Sequence, residues 1–287
     1  MKPLSGVSRD GEEVRGLTHI LVLIKQVPTT ESVRLNEETG TMIRTGSDAA
    51  INPLDLHAVE EAVRIKESST DEVAITVLSM GPPQATSAIR EALAMGCDDG
   101  VLLSGREFAG ADTWSTAYAL VQCMRKLGDF DLVLCGARAT DGETGQVGPM
   151  VAAMWGAPLL TYVSKLTCDE ERVIAKRAIE GGTEEVGCSL PVVACVLRDL
   201  NEPRLPTLSG KVAAHECELK IMDGESIGAD GDLLGLGGSP TRVVRVMYPS
   251  FQRNAELFDA TENGVDAGLD YLESVLSDNT SQIQEQA

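Results

Sequence analysis

Aromatic residues make up only 3% of this 287-residue chain, and its three histidines, His19, His57 and His215, share no ligand-like spacing. Metal hydrolysis and Ser-His-Asp or Cys-His catalysis therefore have no visible constellation to work with. Seven cysteines are scattered, and no two stand at the C-x-x-C spacing of a zinc or redox site. They read as reduced thiols of a cytoplasmic protein. Positive charge is also scarce: 24 bases against 44 acids give a formal charge of −20. Such a field repels phosphate backbones and anionic lipid, which argues against nucleic-acid binding. No apolar run approaches the roughly 18 residues of a membrane span. Neither G-x-x-x-x-G-K-[ST] nor G-x-G-x-x-G follows any β-rich run, which disfavours an NTPase and a standard dinucleotide dehydrogenase. Residues 1–18 are mixed and charged, without the apolar core of a secretory signal, and read as a flexible leader.

What is present is an alternation. Ile20–Ile24 is a continuous apolar run, the mark of a strand buried on both faces. A helix follows Asn52-Pro53, with Ala58, Val59, Ala62, Val63 and Ile65 on one face. Val73–Leu78 is a second strand, Gly81-Pro82-Pro83 opens a second helix, and Gly96 closes it. Val101–Leu103 is a third strand, and Asp112 caps a helix over 113–127. Phe130–Cys135 is a fourth strand, followed by a helix from about Gln146 to Trp155. The pattern predicts an α/β fold: an open, mostly parallel twisted sheet with helices on both faces. Leu159–Leu166, Val173–Ile179 and Val192–Leu197 read as added strands, with 169–171 and Gly181-Gly182 between them. Asn201–Ser209 carries two prolines and reads as a loop. The expected domain spans 19–222, and 223–287 forms an extended C-terminal arm. That arm ends in a short helix near 264–276 and a disordered polar tail from Ser277.

In such a sheet, ligands bind beyond the carboxyl ends of the strands. Four loops qualify, 25–28, 79–83, 104–112 and 136–146. The fourth is the most informative. Gly136, Gly142 and Gly145 let backbone approach a ligand closely, and the next helix offers free first-turn amides to an anion. Residue types alone leave two readings open: a nucleotide cradle, or a long loop with a capped helix. A non-redox nucleotide-binding regulatory module also suits this layout.

At these same loops the sequence resembles the electron-transfer flavoprotein beta family. The segments are Ile24-Lys25-Gln26-Val27-Pro28, Ile51-Asn52-Pro53, Ala58-Val59-Glu60-Glu61-Ala62-Val63, Met80-Gly81-Pro82-Pro83-Gln84 and Glu91-Ala92-Leu93-Ala94-Met95-Gly96. Phe108-Ala109-Gly110-Ala111-Asp112-Thr113, the run from Asp141 to Pro149, and Asn201-Glu202-Pro203-Arg204 complete the series. The resemblance implies a heterodimer with an alpha subunit that carries FAD. It implies structural AMP in the beta chain of common members, and a second FAD in flavin-bifurcating ones. Asp141-Gly142-Glu143-Thr144 and Gly238-Ser239-Pro240-Thr241 look more like the bifurcating kind. Those chains usually read Gly-Arg-Gln-Ala after the fourth strand, where this one reads Gly136-Ala137-Arg138-Ala139.

Motif matching assigns Leu23 and Lys25 to the border of the adenosine or flavin, and Asn52 to the adenine edge. Ser79, Met80 and Gly81 line the pocket wall, while Asp112 and Thr113 approach the diphosphate or ribityl chain. Gly136, Arg138, Ala139, Asp141, Gly142, Glu143, Thr144, Gly145, Gln146 and Val147 cradle phosphates and ribose. The 201–211 segment resembles the family's recognition loop, with Leu208 as its apolar anchor for a flavin dehydrogenase of the acyl-CoA type or a related one. The arm beyond 222 is expected to contact the alpha subunit. If the chain bifurcates electrons, the implied donor is NADH and the low-potential acceptor is ferredoxin or flavodoxin.

Overall fold

The computed structural model describes residues 17–29, 49–168, 172–244, 258 and 264–284, with short strand pieces at 6–7, 13–14, 33–35 and 42–44. Two compact units divide it, 1–245 and 246–287. The first unit is built on a nine-stranded sheet. Its strands are β1 (His19–Ile24), β2 (Ala74–Met80), β3 (Asp99–Leu103), β4 (Leu132–Gly136), β5 (Leu159–Cys168), β6 (Arg172–Ile179), β7 (Gly182–Ser189), β8 (Val192–Val196) and β9 (Lys220–Met222). In space they run β7-β6-β5-β8-β4-β1-β2-β3-β9. The seven from β5 to β9 in that order are parallel, and β6 and β7 add an antiparallel hairpin at one edge.

Side chains alternate across the parallel strands and sort into two cores. Ile20, Val22 and Ile24 of β1 face one layer, with α1 (Pro53–Ser68), α2 (Thr86–Met95) and α5 (Leu208–Glu216). Leu21 and Leu23 face the other, with α3 (Thr113–Leu127) and α4 (Val147–Trp155). Ile20, Leu21 and Val22 are fully buried. Each such side chain contributes about 1.5–3 kcal/mol, so β1 anchors both layers at once. This is why its sequence shows no alternation of apolar and polar residues.

The helix boundaries follow local chemistry. Pro53 occupies the first turn of α1, where its missing N–H costs nothing. The Asp112 carboxylate caps α3 by accepting from the Trp114 and Ser115 amides, both at 3.0 Å. Gly96 ends α2 at φ 128°, a conformation that a side chain would strain. Three of the elements outside the sequence expectations come late in the domain. β7 is an exposed edge strand of mixed polarity, and β9 is only three residues long. The segment expected as a loop to Ser209 instead turns helical at Leu208, where Thr207 supplies the cap by accepting from Gly210 N at 2.9 Å. The expected linker at 169–171 lies outside the described residues.

The chain between β9 and Val244 packs on the first unit. Ile227 and Leu234 are buried in the second core, and the Ser115 hydroxyl donates to the Leu233 carbonyl at 3.0 Å. The second unit holds α6 (Gly264–Gln284), where Phe258 and Tyr271 meet with ring centroids 5.5 Å apart. The tail expected to be disordered from Ser277 is helical to Gln284.

Candidate functional site

Chain order and spatial order part company between β1 and β4. From β1 the chain steps outward to β2 and β3, then returns to place β4 on the other side of β1. The tips of β1 and β4 are thus left by connections running in opposite directions, the kind of switch point beyond which ligands bind in open α/β sheets. Leu23 and Cys135 form the last paired rung of these two strands.

Just past that rung the start of α1 fills the gap. The Asp55 carboxylate accepts from Lys25 N at 2.7 Å and from Gly136 N at 3.1 Å, so it takes one amide from each strand tip. Burial pushes its pKa up to about 7, against the opposing effects of bonds from Asn52, Lys25 and Gly136 and of the Lys25 charge. Gly136 is needed here, because a Cβ would lie 2.5 Å from Asp55 Oδ1 and 2.8 Å from Leu54 Cβ. Asn52 continues the grip. Its side chain donates to the Arg138 carbonyl at 3.0 Å and accepts from Thr140 N at 3.2 Å, while its backbone N–H donates to the Lys25 carbonyl at 2.8 Å. Asn52 is fully buried. It holds the loop from behind.

The loop after β4 is an open rim. Arg138, Gly142, Glu143, Thr144 and Gln146 are exposed. Glu143 adopts φ 53° and donates its N–H to the Ala139 carbonyl at 2.9 Å, and Gly145 follows at φ 62°. Two ion pairs cross this rim: Lys25 to Asp141 at 2.7 Å, and Arg138 to Glu143 at 2.9 Å. α4 then begins without a side-chain cap, since the Gln146 amide turns back to the Thr144 carbonyl at 3.3 Å. Its first turn lies flat on the sheet at Gly148, where a Cβ would meet the Cys195 and Cys135 sulfurs at 2.4 and 2.9 Å.

β2 supplies the neighbouring wall. Ser79 pairs with Ile24 across the ladder and is buried, and its hydroxyl finds no hydrogen-bond partner among the described residues. Gly81 N donates to the Leu103 carbonyl at 3.0 Å, tying the tips of β2 and β3, while Met80 is half-buried against the second core. Leu23 is a core residue whose side chain joins the second layer.

Asp112 and Thr113 stand at the start of α3. Beyond its cap bonds, the Asp112 carboxylate accepts from Thr241 N at 2.9 Å and Thr241 Oγ1 at 2.8 Å. Both oxygens are committed within the protein. Burial raises its pKa, but the bonds from Ser115, Thr241 and Trp114 outweigh that and hold it below the usual range. Asp112 thus joins the segment at 239–241 to the domain. Leu208 stands apart from the strand tips at the start of α5, which packs on α2; a Cβ on Gly210 would lie 2.3 Å from the Ala94 carbonyl. It is 80% exposed, on a helix where sequence reading expected a loop. The stretch before it is pinned by Arg204, whose guanidinium bonds Glu60 at 2.8 Å and Glu67 at 2.5 Å.

The Electron transfer flavoprotein domain profile matches residues 39–221, a range that contains most of these contacts. The chain belongs to the electron transfer flavoprotein family. It is 46% identical over 241 residues to an electron transfer flavoprotein subunit beta of Thermoanaerobacterium thermosaccharolyticum, covering 84% of this chain and 92% of the relative. It is also 40% identical to the caffeyl-CoA reductase-Etf complex subunit CarD of Acetobacterium woodii, covering 84% and 92%. The FixA protein of Azotobacter vinelandii is 40% identical over 254 residues, covering 85% and 89%. Among the described residues no helix is long and apolar enough to cross a membrane.

In this electron transfer flavoprotein chain, Asp55 and Thr140 join the contacts at the strand tips, beyond the residues that the motifs single out. An acid in the first turn after Asn-Pro was a usable signal, since it complements the helix N-terminus. Its burial between two strand tips is a tertiary fact.

Proposed function

We propose that this chain is the beta subunit of a bifurcating electron-transfer flavoprotein, and that the crevice at the tips of β1 and β4 holds FAD. One observation carries the reading. The reversal of chain direction between β1 and β4 coincides with a glycine-rich rim and an uncapped helix start. The Gly142 position has nothing within 4 Å of where a Cβ would stand, so the rim has room for a ligand. These features fit the ribose and pyrophosphate of an adenine-containing cofactor.

When bound, FAD supplies hydride acceptance and one-electron release. The chain's own residues do the rest. Backbone at Gly142–Gly145 and the first turn of α4 orient the diphosphate, and Lys25 and Arg138 offset its charge. Asn52 fixes the height of the rim. Asp141-Gly142-Glu143-Thr144, together with the Thr241 clasp on Asp112, supports FAD over AMP.

The reading includes an alpha subunit carrying its own FAD, met in part by the arm beyond 222, and NADH as donor. A flavin dehydrogenase docks at the exposed Leu208, and ferredoxin or flavodoxin takes the low-potential electron. Free thiols at Cys97, Cys123, Cys135, Cys188, Cys195 and Cys217 support a cytoplasmic setting. Extraction of nucleotides from the co-purified pair tests this: two FAD per pair are expected. One FAD plus one AMP would replace it with a plain carrier, and tight ATP without flavin with a regulatory module.

A further inference from the structure

We infer that Asp55 is a positioning residue that sets the spacing of the β1 and β4 tips beneath the cofactor by standing in for the next rung of the ladder between Lys25 and Gly136. The inference rests on the proposal that this crevice holds an adenine-containing cofactor. It goes further by giving a role to a residue outside the rim.

The geometry is specific. Leu23 and Cys135 close the paired stretch of β1 and β4. One residue on, Gly136 N turns to Asp55 Oδ1; two residues on, Lys25 N turns to Asp55 Oδ2. Two strand tips that would otherwise pair or collapse are each given an acceptor on a third element, α1. Asn52, three residues earlier, holds the rim at the Arg138 carbonyl and the Thr140 amide. α1 thus reads the position of both strands and sets the rim to match. An ionised carboxylate accepts both amides. A protonated one turns one oxygen into a donor and loses one of the two bonds.

The charged and titratable groups around Asp55 are few. Lys25 lies above it, paired to Asp141, and Arg138 is paired to Glu143. The Cys135 thiol lies on the neighbouring strand tip, raised well above its ordinary range by its contact with Cys195, by burial and by the charges of Cys195 and Asp55. His57 turns away, with Nδ1 3.0 Å from the Asn201 carbonyl. With the burial-raised pKa of about 7, Asp55 changes protonation between pH 6 and pH 8.

The test uses the nucleotide-free full chain, with FAD followed by its fluorescence and ADP-ribose by calorimetry. The pyrophosphate of either probe does not titrate in this range. Wild-type affinity is expected to be about tenfold weaker at pH 6 than at pH 8, since binding draws on the ionised fraction. Asp55→Asn should bind about tenfold more weakly at pH 8 and show a flat profile. Hydrogen exchange supplies a second reading without ligand: the Gly136 and Lys25 amides should exchange at least tenfold faster in Asp55→Asn. A variant with wild-type affinity, pH slope and exchange overturns the inference. If Asp55→Asn does not fold, a flat wild-type profile overturns it on its own. If wild type binds neither probe, the cofactor proposal fails instead, and the exchange rates still decide the role of Asp55.

Discussion

Lys25 and Asp141 form an ion pair 2.7 Å long across the mouth of the crevice, with 46% of the lysine side chain exposed and 10% of the aspartate. A pair this open adds less than about 1 kcal/mol to folding. If the proposed cofactor sits here, its pyrophosphate can take the lysine in a charge-assisted bond. Lys25→Met should leave the urea midpoint nearly unchanged and weaken FAD binding roughly five- to tenfold, read by fluorescence titration. Asp141→Asn frees the same lysine and should tighten binding at low salt.

Gly136 and Gly142 separate two reasons for glycine in one loop. A methyl on Gly136 would strike Asp55 Oδ1 and Leu54 Cβ, while one on Gly142 meets nothing within 4 Å. Gly136→Ala should cost about 1–3 kcal/mol by overpacking. Gly142→Ala should stay within about 0.5 kcal/mol. Denaturant melts of the two variants check this directly, and equal losses would place the crevice elsewhere.

The parallel core was legible because its strands are apolar throughout: Ile20–Ile24 and Leu132–Leu134 are buried on both faces and leave no other assignment. The Asp112 cap and the Gly96 stop were legible because they are local chemistry. β7 was not, since GTEEVGCS is an edge strand defined by its pairing with β6 and carries no pattern of its own. α5 was masked by Pro203 and Pro206, which end before the cap at Thr207. At the site, the rim from Gly136 to Val147 could be read from its glycines. The roles of Asn52 and Asp112 could not: both residue types suit a ligand, and only the fold shows their polar atoms committed within the chain.

Asp55 also sets a pH dependence of stability. Its pKa is raised from 3.8 unfolded to about 7 folded, so between these values the folded chain binds more protons than the unfolded one. Its contribution is therefore greatest below about pH 4 and is lost as pH rises through 7. The difference in unfolding free energy between wild type and Asp55→Asn should fall by a few kcal/mol from pH 4 to pH 8, on the order that such a shift implies. A difference that rises with pH would contradict the assignment.

Leu208 is 80% exposed among the described residues, beside Leu205 at 87% and Val212 at 53%. Leu208→Ala should leave thermal stability and cofactor content intact. It should lower the rate of electron exchange with the partner dehydrogenase by about tenfold or more, as loss of an apolar anchor does. Stopped-flow reduction of the dehydrogenase reads this.

The central claim is that the cofactor sits where the tips of β1 and β4 part. Photolabelling the purified pair with an 8-azidoadenine analogue of the cofactor, followed by peptide mass spectrometry, tests it most directly. Label on the beta chain should fall on peptides from 20–28, 79–84 and 136–147. Label confined to peptides beyond 246, or to the α5 region around Leu208, would contradict the account.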